Sequence, residues 1–381
     1  AEGVRPDALT PEQAVEGTDG TVYAFSQTKD TARAIAPTWV ATSHPEHRGI
    51  FNHWIHTDEV MPLVRAQLAG SCRGEKMYVI PYAVDDPKSQ VRKFGVQVTK
   101  SRYVAMNILT MYAAGRVVLD QLGTSEDFVI GGQGAGDLAQ VRRTEDVWDD
   151  RYFVAFPELN LVLTANSNYG GNAIIPKKFH GLRMGMWAVQ GKDQLVEHTA
   201  IWGLEVLESF DGFEKGETVF FAGGFPSYSG KTTTSTLQVP AALDGKVRTW
   251  MVSDDIADME LDESGRLLAS NAEAGVFGVI KGNNWDTSPV SMEAINSGHA
   301  LITNIAVKMR RNPDTGRLVI VDKWWDGLTP QPPWEQVDQE PASEEEALTG
   351  EGAWYNWRRE RLKSVPGEKR AGMPWSEANA R

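Results

Sequence analysis

Between Gly223 and Thr233 the chain reads Gly-Gly-Phe-Pro-Ser-Tyr-Ser-Gly-Lys-Thr-Thr, a glycine turn set between a β-rich run and a helical pattern over 231–237. That order suits an anion. Backbone N–H groups at a helix start point at the ligand and the helix dipole adds positive charge. Lys231 would neutralise terminal phosphates, and the Thr232 hydroxyl would reach a magnesium ion. The strict spacing of a phosphate loop is not met, because Phe225 stands where the first glycine belongs. A Gly-rich turn with an exposed lysine is the bland alternative. Further on, a strand pattern over 248–253 ends in Asp254 and Asp255. Carboxylates at a strand end near a phosphate loop commonly hold its metal. Adjacent strand side chains face opposite ways, so the two aspartates should have different jobs. Asn168 to Lys178 is a tight glycine turn leading to two lysines, and Glu197-His198 precedes an apolar run. Alone, Lys177 and Lys178 read as a surface pair and His198 as a core or capping histidine.

The elements that must position these groups are mixed. Residues 77–84 form a short apolar, β-rich run, and 94–99 alternate; both read as strands. Residues 101–122 carry helical spacing and end at Gly123, which predicts one helix. Residues 154–164 and 218–223 read as strand, the Gly-rich 131–137 as a loop, and the acidic 335–352 as an exposed loop or linker. The class is α/β with a P-loop-type unit in the second half.

Composition bounds the partners. The 381 residues carry 38 Lys and Arg against 51 Asp and Glu, a net charge of −13. An acidic chain is a poor candidate for nucleic acid, and positive charge for phosphates must be local. One cysteine, Cys72, excludes an internal disulfide framework and a cysteine zinc finger. No apolar run approaches the roughly 18 residues a membrane span needs, and no basic-then-apolar signal opens the chain. The expectation is a cytoplasmic protein with no membrane partner. His44, His47, His53 and His56 fall in HPEH and HWIH, but surface placement outweighs a zinc site.

Taken together, the motifs resemble phosphoenolpyruvate carboxykinase, most closely its GTP-dependent class. The resemblance runs through CRGEKMYVIPYAV (72–84), FGVQVTKSRYV (94–104), YGGNAIIPKK (169–178), EH (197–198), FPSYSGKT (225–232), DDIA (254–257), AEAGVFGV (272–279) and WWDG (324–327). It implies a carboxykinase-like α/β fold, with an N-terminal substrate- and metal-binding domain over 1–200. A P-loop domain over 201–381 would follow, incomplete at its C-terminus. The implied activity interconverts oxaloacetate with phosphoenolpyruvate and CO2. The resemblance places a catalytic Mn²⁺ on Lys178, His198 and Asp255. It assigns the phosphoryl donor, with Mg²⁺ at Thr232, to Ser229, Gly230, Lys231, Thr232, Thr233 and Asp254. The substrate would meet Tyr169, Gly170, Gly171, Asn172 and Ser227, with Lys177 beside it. Arg33 is the implied grip on the substrate carboxylate, and Asn379 and Arg381, in an Ala-Asn-Ala-Arg stretch like the family's later motif, are implied to bind substrate as well.

Lysine ligates a metal only when neutral, so the resemblance also implies that Lys178 loses its proton, helped by the ion and by Lys177. Several letters depart from the GTP-class pattern. Tyr228, Ser229 and Thr233 replace Ala, Cys and Asn in the loop, and Asp258 replaces a tryptophan. The altered loop keeps inorganic pyrophosphate open beside GTP as donor. A non-catalytic, phosphate-binding or regulatory relative is the alternative from another class. An end just after an arginine, past a basic loop, leads to the expectation of a companion C-terminal polypeptide. Trp334, Trp354, Trp357 and Trp375 are expected to pack against that missing portion.

Overall fold

The computed structural model describes residues 14–24, 38–48, 53–89, 92–134, 151–166, 170–224, 239–336, 343–356, 361–362 and 377–380. For 14, 16, 170–175, 335–336, 344 and 377–380 only the backbone is described. The chain divides into two units, Arg33–Ala274 (with 1–3) and Gly275–Arg381 with Val4–Ala32.

In the first unit the apolar runs pair into an eight-stranded mixed sheet. Its strands are β1 (Thr38–Thr42), β2 (His53–His56), β3 (Tyr78–Val84), β4 (Lys93–Thr99), β5 (Ala113–Ala114), β6 (Val129–Gly134), β7 (Tyr152–Phe156) and β8 (Leu161–Ala165), in the order β2-β1-β7-β8-β6-β4-β3-β5. Helix α1 (Thr57–Leu68) lays Val60 and Val64, one turn apart, on Ala41, Val154 and Phe156. His56 caps it by accepting from the Asp58 N–H, and Asp58 and Glu59 sit in its first turn, where the helix dipole favours negative charge. The HWIH pattern thus serves a strand end and a cap.

Two expectations are corrected in this sheet. The stretch 101–122 is not one helix but α2 (Arg102–Met111) and α3 (Arg116–Leu122), separated by β5. Tyr112 turns extended, Ala113 and Ala114 pair with Ala83 and Tyr82, and Gly115 takes φ +80° while its N–H donates to the Pro81 carbonyl. Val104, Ile108 and Met111 of the first helix and Val118 of the second are all buried, so the apolar pattern alone does not mark the break. Residues 131–134, read as loop, belong to β6, paired in parallel with β8 and β4. Glycine leaves room there for a neighbour: a Cβ on Gly132 would sit 2.6 Å from Leu163 Cδ2, which would have to shift. Residues 135–137 lie outside the described residues. The 154–164 run holds two strands, β7 and β8, joined by a short 3₁₀ turn with Asn160 in the left-handed region.

Two small antiparallel sheets complete the unit. The first is β9 (Gln194–Glu197), β13 (Ala257–Leu261) and β14 (Leu267–Asn271), in the order β9-β13-β14. The second is β10 (Thr199–Val206), β11 (Thr218–Gly224) and β12 (Val247–Ser253), in the order β11-β10-β12. Strand β11 ends at Gly224, so the expected helix over 231–237 lies outside the described residues.

The second unit holds a five-stranded sheet (Ala14–Glu16, Val22–Ala24, Ala300–Thr303, Glu377–Ala380, Val276–Val279) and a three-stranded one (Leu318–Trp324, Ala306–Arg311, Ala353–Tyr355). Its core gathers Ile302, Val307, Ile320 and Trp325. Trp334 packs edge-on against Trp324 at 4.9 Å and lies 5.7 Å from Trp354. Trp334 and Trp354 are therefore buried within their own unit, not reserved for another polypeptide; Trp357 and Trp375 lie outside the described residues. The acidic stretch 335–352 is not all loop, since Glu344–Thr349 is helical and Ser343 caps it through the Glu346 N–H. Among the described residues no helix is long and apolar enough to cross a membrane.

Candidate functional site

Three elements of the first unit deliver side chains to one place. The first is a π-helical segment, Gly170–Met184, wound wider than an α-helix by its i→i+5 hydrogen bonds. Such segments concentrate at functional sites. Lys177 and Lys178 lie on it, and Arg183 fixes its backbone by donating from Nη1 to the Lys178 carbonyl at 3.2 Å and from Nη2 to Thr38 Oγ1 at 3.1 Å. The second element is the one-residue link between β9 and β10, which is His198 itself. The third is the bend that follows β12. The strand stops at Ser253, so Asp254 and Asp255 sit past its end rather than on its two faces. Ser253 Oγ donates to the Ile256 carbonyl at 2.7 Å and closes the bend. The pair does divide its work: Asp255 makes the direct contacts, while Asp254 acts on Lys177 through space.

Asp255 is the hub. Its Oδ2 accepts from Lys178 Nζ at 2.6 Å and pairs with Lys177 Nζ at 3.0 Å. Its Oδ1 lies 2.5 Å from His198 Nε2, and Lys178 Nζ lies 2.9 Å from the same ring nitrogen. An amine, an imidazole and a carboxylate from three distant stretches are thus mutually within 3 Å. Lys178 and His198 keep about a quarter of their side-chain surface open, while Asp255 is nearly closed.

Lys177 lies deeper. Its ammonium also pairs with Glu273 Oε2 at 3.0 Å, and Glu273 Oε1 accepts from the buried Tyr112 hydroxyl at 3.2 Å. Burial works against the Lys177 charge, but the carboxylates of Asp254, Asp255 and Glu273 outweigh it and hold its pKa well above the ordinary lysine value. Burial pushes Glu273 up to about 8 while Lys177 pulls the other way. Of the two, Lys177 is the group that keeps its charge, because further carboxylates flank it, whereas those same neighbours repel a charge on Glu273.

Sequence reasoning missed Glu273 and Tyr112. The segment 272–279 was singled out whole, and no spacing marks one carboxylate in it as a lysine partner. Tyr112 lay inside a stretch read as helix. Gly170, Gly171 and Asn172 belong to the π-helical segment, with only their backbone described. Asn379 sits in strand Glu377–Ala380 of the second unit, opposite Leu301 and Phe277. Arg33, Tyr169, Ser227, Ser229, Gly230, Lys231, Thr232, Thr233 and Arg381 lie outside the described residues. Among the described residues no group of three or more His, Cys, Asp or Glu side chains is placed to hold a metal. The cluster at Asp255 differs in taking a lysine as one member. Of the surface histidines, His44 and His47 meet edge to face at 5.5 Å, and His47 pairs with Glu158 at 3.1 Å.

Comparison with known proteins adds two family models. One, described as the phosphoenolpyruvate carboxykinase N-terminal domain, matches residues 7–189, and the other, its C-terminal P-loop domain, matches 194–359. Among similar proteins are those named phosphoenolpyruvate carboxykinase [GTP] from Anaeromyxobacter sp. (strain K), Arthrobacter sp. (strain FB24) and Corynebacterium jeikeium (strain K411). Identities are 35% over 320 residues, 33% over 322 and 29% over 320. These alignments cover 84%, 83% and 83% of this chain, and 49%, 49% and 50% of the relatives. The chain therefore spans about half the length of the curated relatives it matches.

Proposed function

The chain belongs to the phosphoenolpyruvate carboxykinase family, and on that premise we propose that it forms the substrate- and metal-handling part of such an enzyme, converting oxaloacetate to phosphoenolpyruvate and CO2 with GTP as donor. One observation carries the reading: Lys178, His198 and Asp255, from three separate elements, converge within 3 Å. The donor set fits a divalent ion that accepts mixed nitrogen and oxygen ligands, such as manganese. The side chains that would hold it are Lys178, His198 and Asp255. When bound, the ion would supply Lewis-acid stabilisation for the charge that develops on a substrate oxygen.

The chain's own residues do the rest. Lys178 donates to Asp255, so its proton is the one that must leave before its nitrogen can act as a ligand. Lys177 holds its proton at Nζ between Asp255 and Glu273, a fixed positive charge beside the ligand set. That charge disfavours a second ammonium next to it and so favours the neutral form of Lys178. Lys231 and Thr232, with Mg²⁺, are proposed to receive the phosphoryl donor. GTP is taken from the relatives' names. Pyrophosphate is a second reading, favoured by Tyr228, Ser229 and Thr233 in the loop. The half of the relatives' length that this chain does not span is proposed to complete the nucleotide and substrate pockets, as a companion polypeptide or a continuation.

Two measurements test the reading. Electron paramagnetic resonance should show one tight Mn²⁺ per chain, weakened at least about tenfold by Asp255→Asn. Phosphoenolpyruvate formation from oxaloacetate, run separately with GTP, ATP and pyrophosphate, identifies the donor. Equal Mn²⁺ affinity in wild type and variant would sink the metal assignment. Metal binding without turnover with any donor, once the companion portion is supplied, would leave the non-catalytic relative.

A further inference from the structure

A cavity of about 500 Å³ opens in the first unit between β4, α3, β9 and β13, within the size range of small-molecule sites. Neither Lys177, Lys178, His198 nor Asp255 lines it. Its inner wall is charged. Lys93 forms an ion pair with Asp258, and Glu260 follows two residues along β13. Asp258 is 94% buried, being 6% exposed, and its Oδ2 has no hydrogen-bond partner among the described residues. Burial pushes the Asp258 carboxyl up, Lys93 pulls it down, and Asp85 and Glu260 add to the rise. Three carboxylates therefore stand near a single ammonium. A buried acceptor left without a donor costs about 1–3 kcal/mol, and such a group in a cavity wall calls for a function or a missing partner. The outer part carries a net positive charge, with exposed Arg92 and Lys192 against the single exposed carboxylate of Asp127; one guanidinium nitrogen of Arg92 donates to the Ser89 carbonyl at 2.6 Å.

We propose that this cavity is a second ligand site, which takes a small zwitterion of the α-amino acid type, its ammonium directed to Asp258 and Glu260 and its carboxylate to Arg92 and Lys192. The charge order selects this class. A polyphosphate would bring its charge against the inner carboxylates, and a simple amine would leave the excess outer positive charge, two cations against Asp127, unanswered. The site is independent of the metal reading, since it shares no side chain with that cluster.

The test is calorimetric titration of the full chain with glycine, L-serine and L-aspartate, with acetate and ethylamine as single-charge controls. At least one amino acid should saturate with a Kd at least about tenfold below either control. Asp258→Asn, which keeps the shape and removes the charge, should weaken that binding about tenfold or more. Ser125→Trp, at an exposed position on the rim, should abolish it while leaving the circular dichroism spectrum and Mn²⁺ binding unchanged. Should Asp258→Asn fail to fold, Ser125→Trp alone decides. No saturable uptake of any of the three amino acids up to about 10 mM overturns the proposal. So does equal affinity for ethylamine, or amino-acid binding that Ser125→Trp leaves intact.

Discussion

Lys177→Met tests whether the buried lysine is what allows three carboxylates to share one small space. Its Nζ stands 3.0 Å from both Asp255 and Glu273, with the lysine side chain only 6% exposed. At an effective dielectric of about 20, each such pair is worth roughly 5 kcal/mol before desolvation is charged against it. Burying the ammonium takes back several kcal/mol, so the net cost of removing one partner is about 3–5 kcal/mol. Methionine keeps most of the volume and isolates the charge. Glu273 has an escape, because a carboxyl already pushed up to about 8 can take a proton when its lysine is lost. Lys177 pulls that carboxyl down, so without it the group rises above 8: the loss should be largest at high pH, shrink as the pH falls towards about 8, and stay level below, where wild type carries the proton as well. The sign follows from linkage: in that window the folded variant binds a proton that neither folded wild type nor the unfolded chain holds. Adding Glu273→Gln to the variant should restore roughly 1–3 kcal/mol by removing the stranded carboxylate. Urea unfolding of wild type, both single variants and the double variant closes the cycle. A Lys177→Met chain within about 1 kcal/mol of wild type, with no rescue by the second change, would refute the reasoning.

His180 gives a pH prediction of opposite sign. Burial holds its ring near 3, against 6.5 unperturbed, so the unfolded chain takes the proton first and stability falls from pH 6.5 towards 3. The slope is up to about 1.4 kcal/mol per pH unit in that window, and His180→Phe should flatten it; an unchanged slope counts against the assignment. Gly95→Ala places a methyl against the ring of Tyr82, which is fully buried and bonded to His180 Nδ1 at 3.0 Å. The expected loss is about 1–3 kcal/mol, read from the urea midpoint. Trp334→Ala opens the tryptophan group of the second unit and should cost about 3–5 kcal/mol, visible as a lowered thermal midpoint.

Legibility followed how local each signal was. Tyr78–Val84 and Lys93–Thr99 were readable because their side-chain patterns answer to one sheet over seven residues each. The break at Tyr112–Gly115 was not, because it depends on Pro81 and Tyr82 of another strand accepting the chain in extended form. Strand β6 was hidden for a related reason. Its glycines look like a turn, yet at Gly132 Leu163 of the neighbouring strand, and at Gly134 Ser71 and Leu68, fill the space a side chain would take. Local sequence states what a backbone can do, whereas these two segments were decided by what stood next to them.

The candidate site sharpens that contrast. Taken singly, Lys177 and Lys178 read as a surface pair and His198 as a cap, and each of those readings is sound for an isolated residue. The lysines sit instead on a segment wound so that neighbouring residues both reach Asp255. Two ammonium groups are stable this close only because Asp254, Asp255 and Glu273 enclose the deeper one. Glu273 is thus as much a condition of the arrangement as the groups that meet at Asp255, though no motif spacing announces it. If the second ammonium is exchanged for a divalent ion, the enclosure need not change, because Lys177 keeps offsetting part of the charge of the buried carboxylates. On the proposed metal reading only the shallower, partly open lysine would give up its proton, a division of labour between adjacent residues that the double lysine would supply.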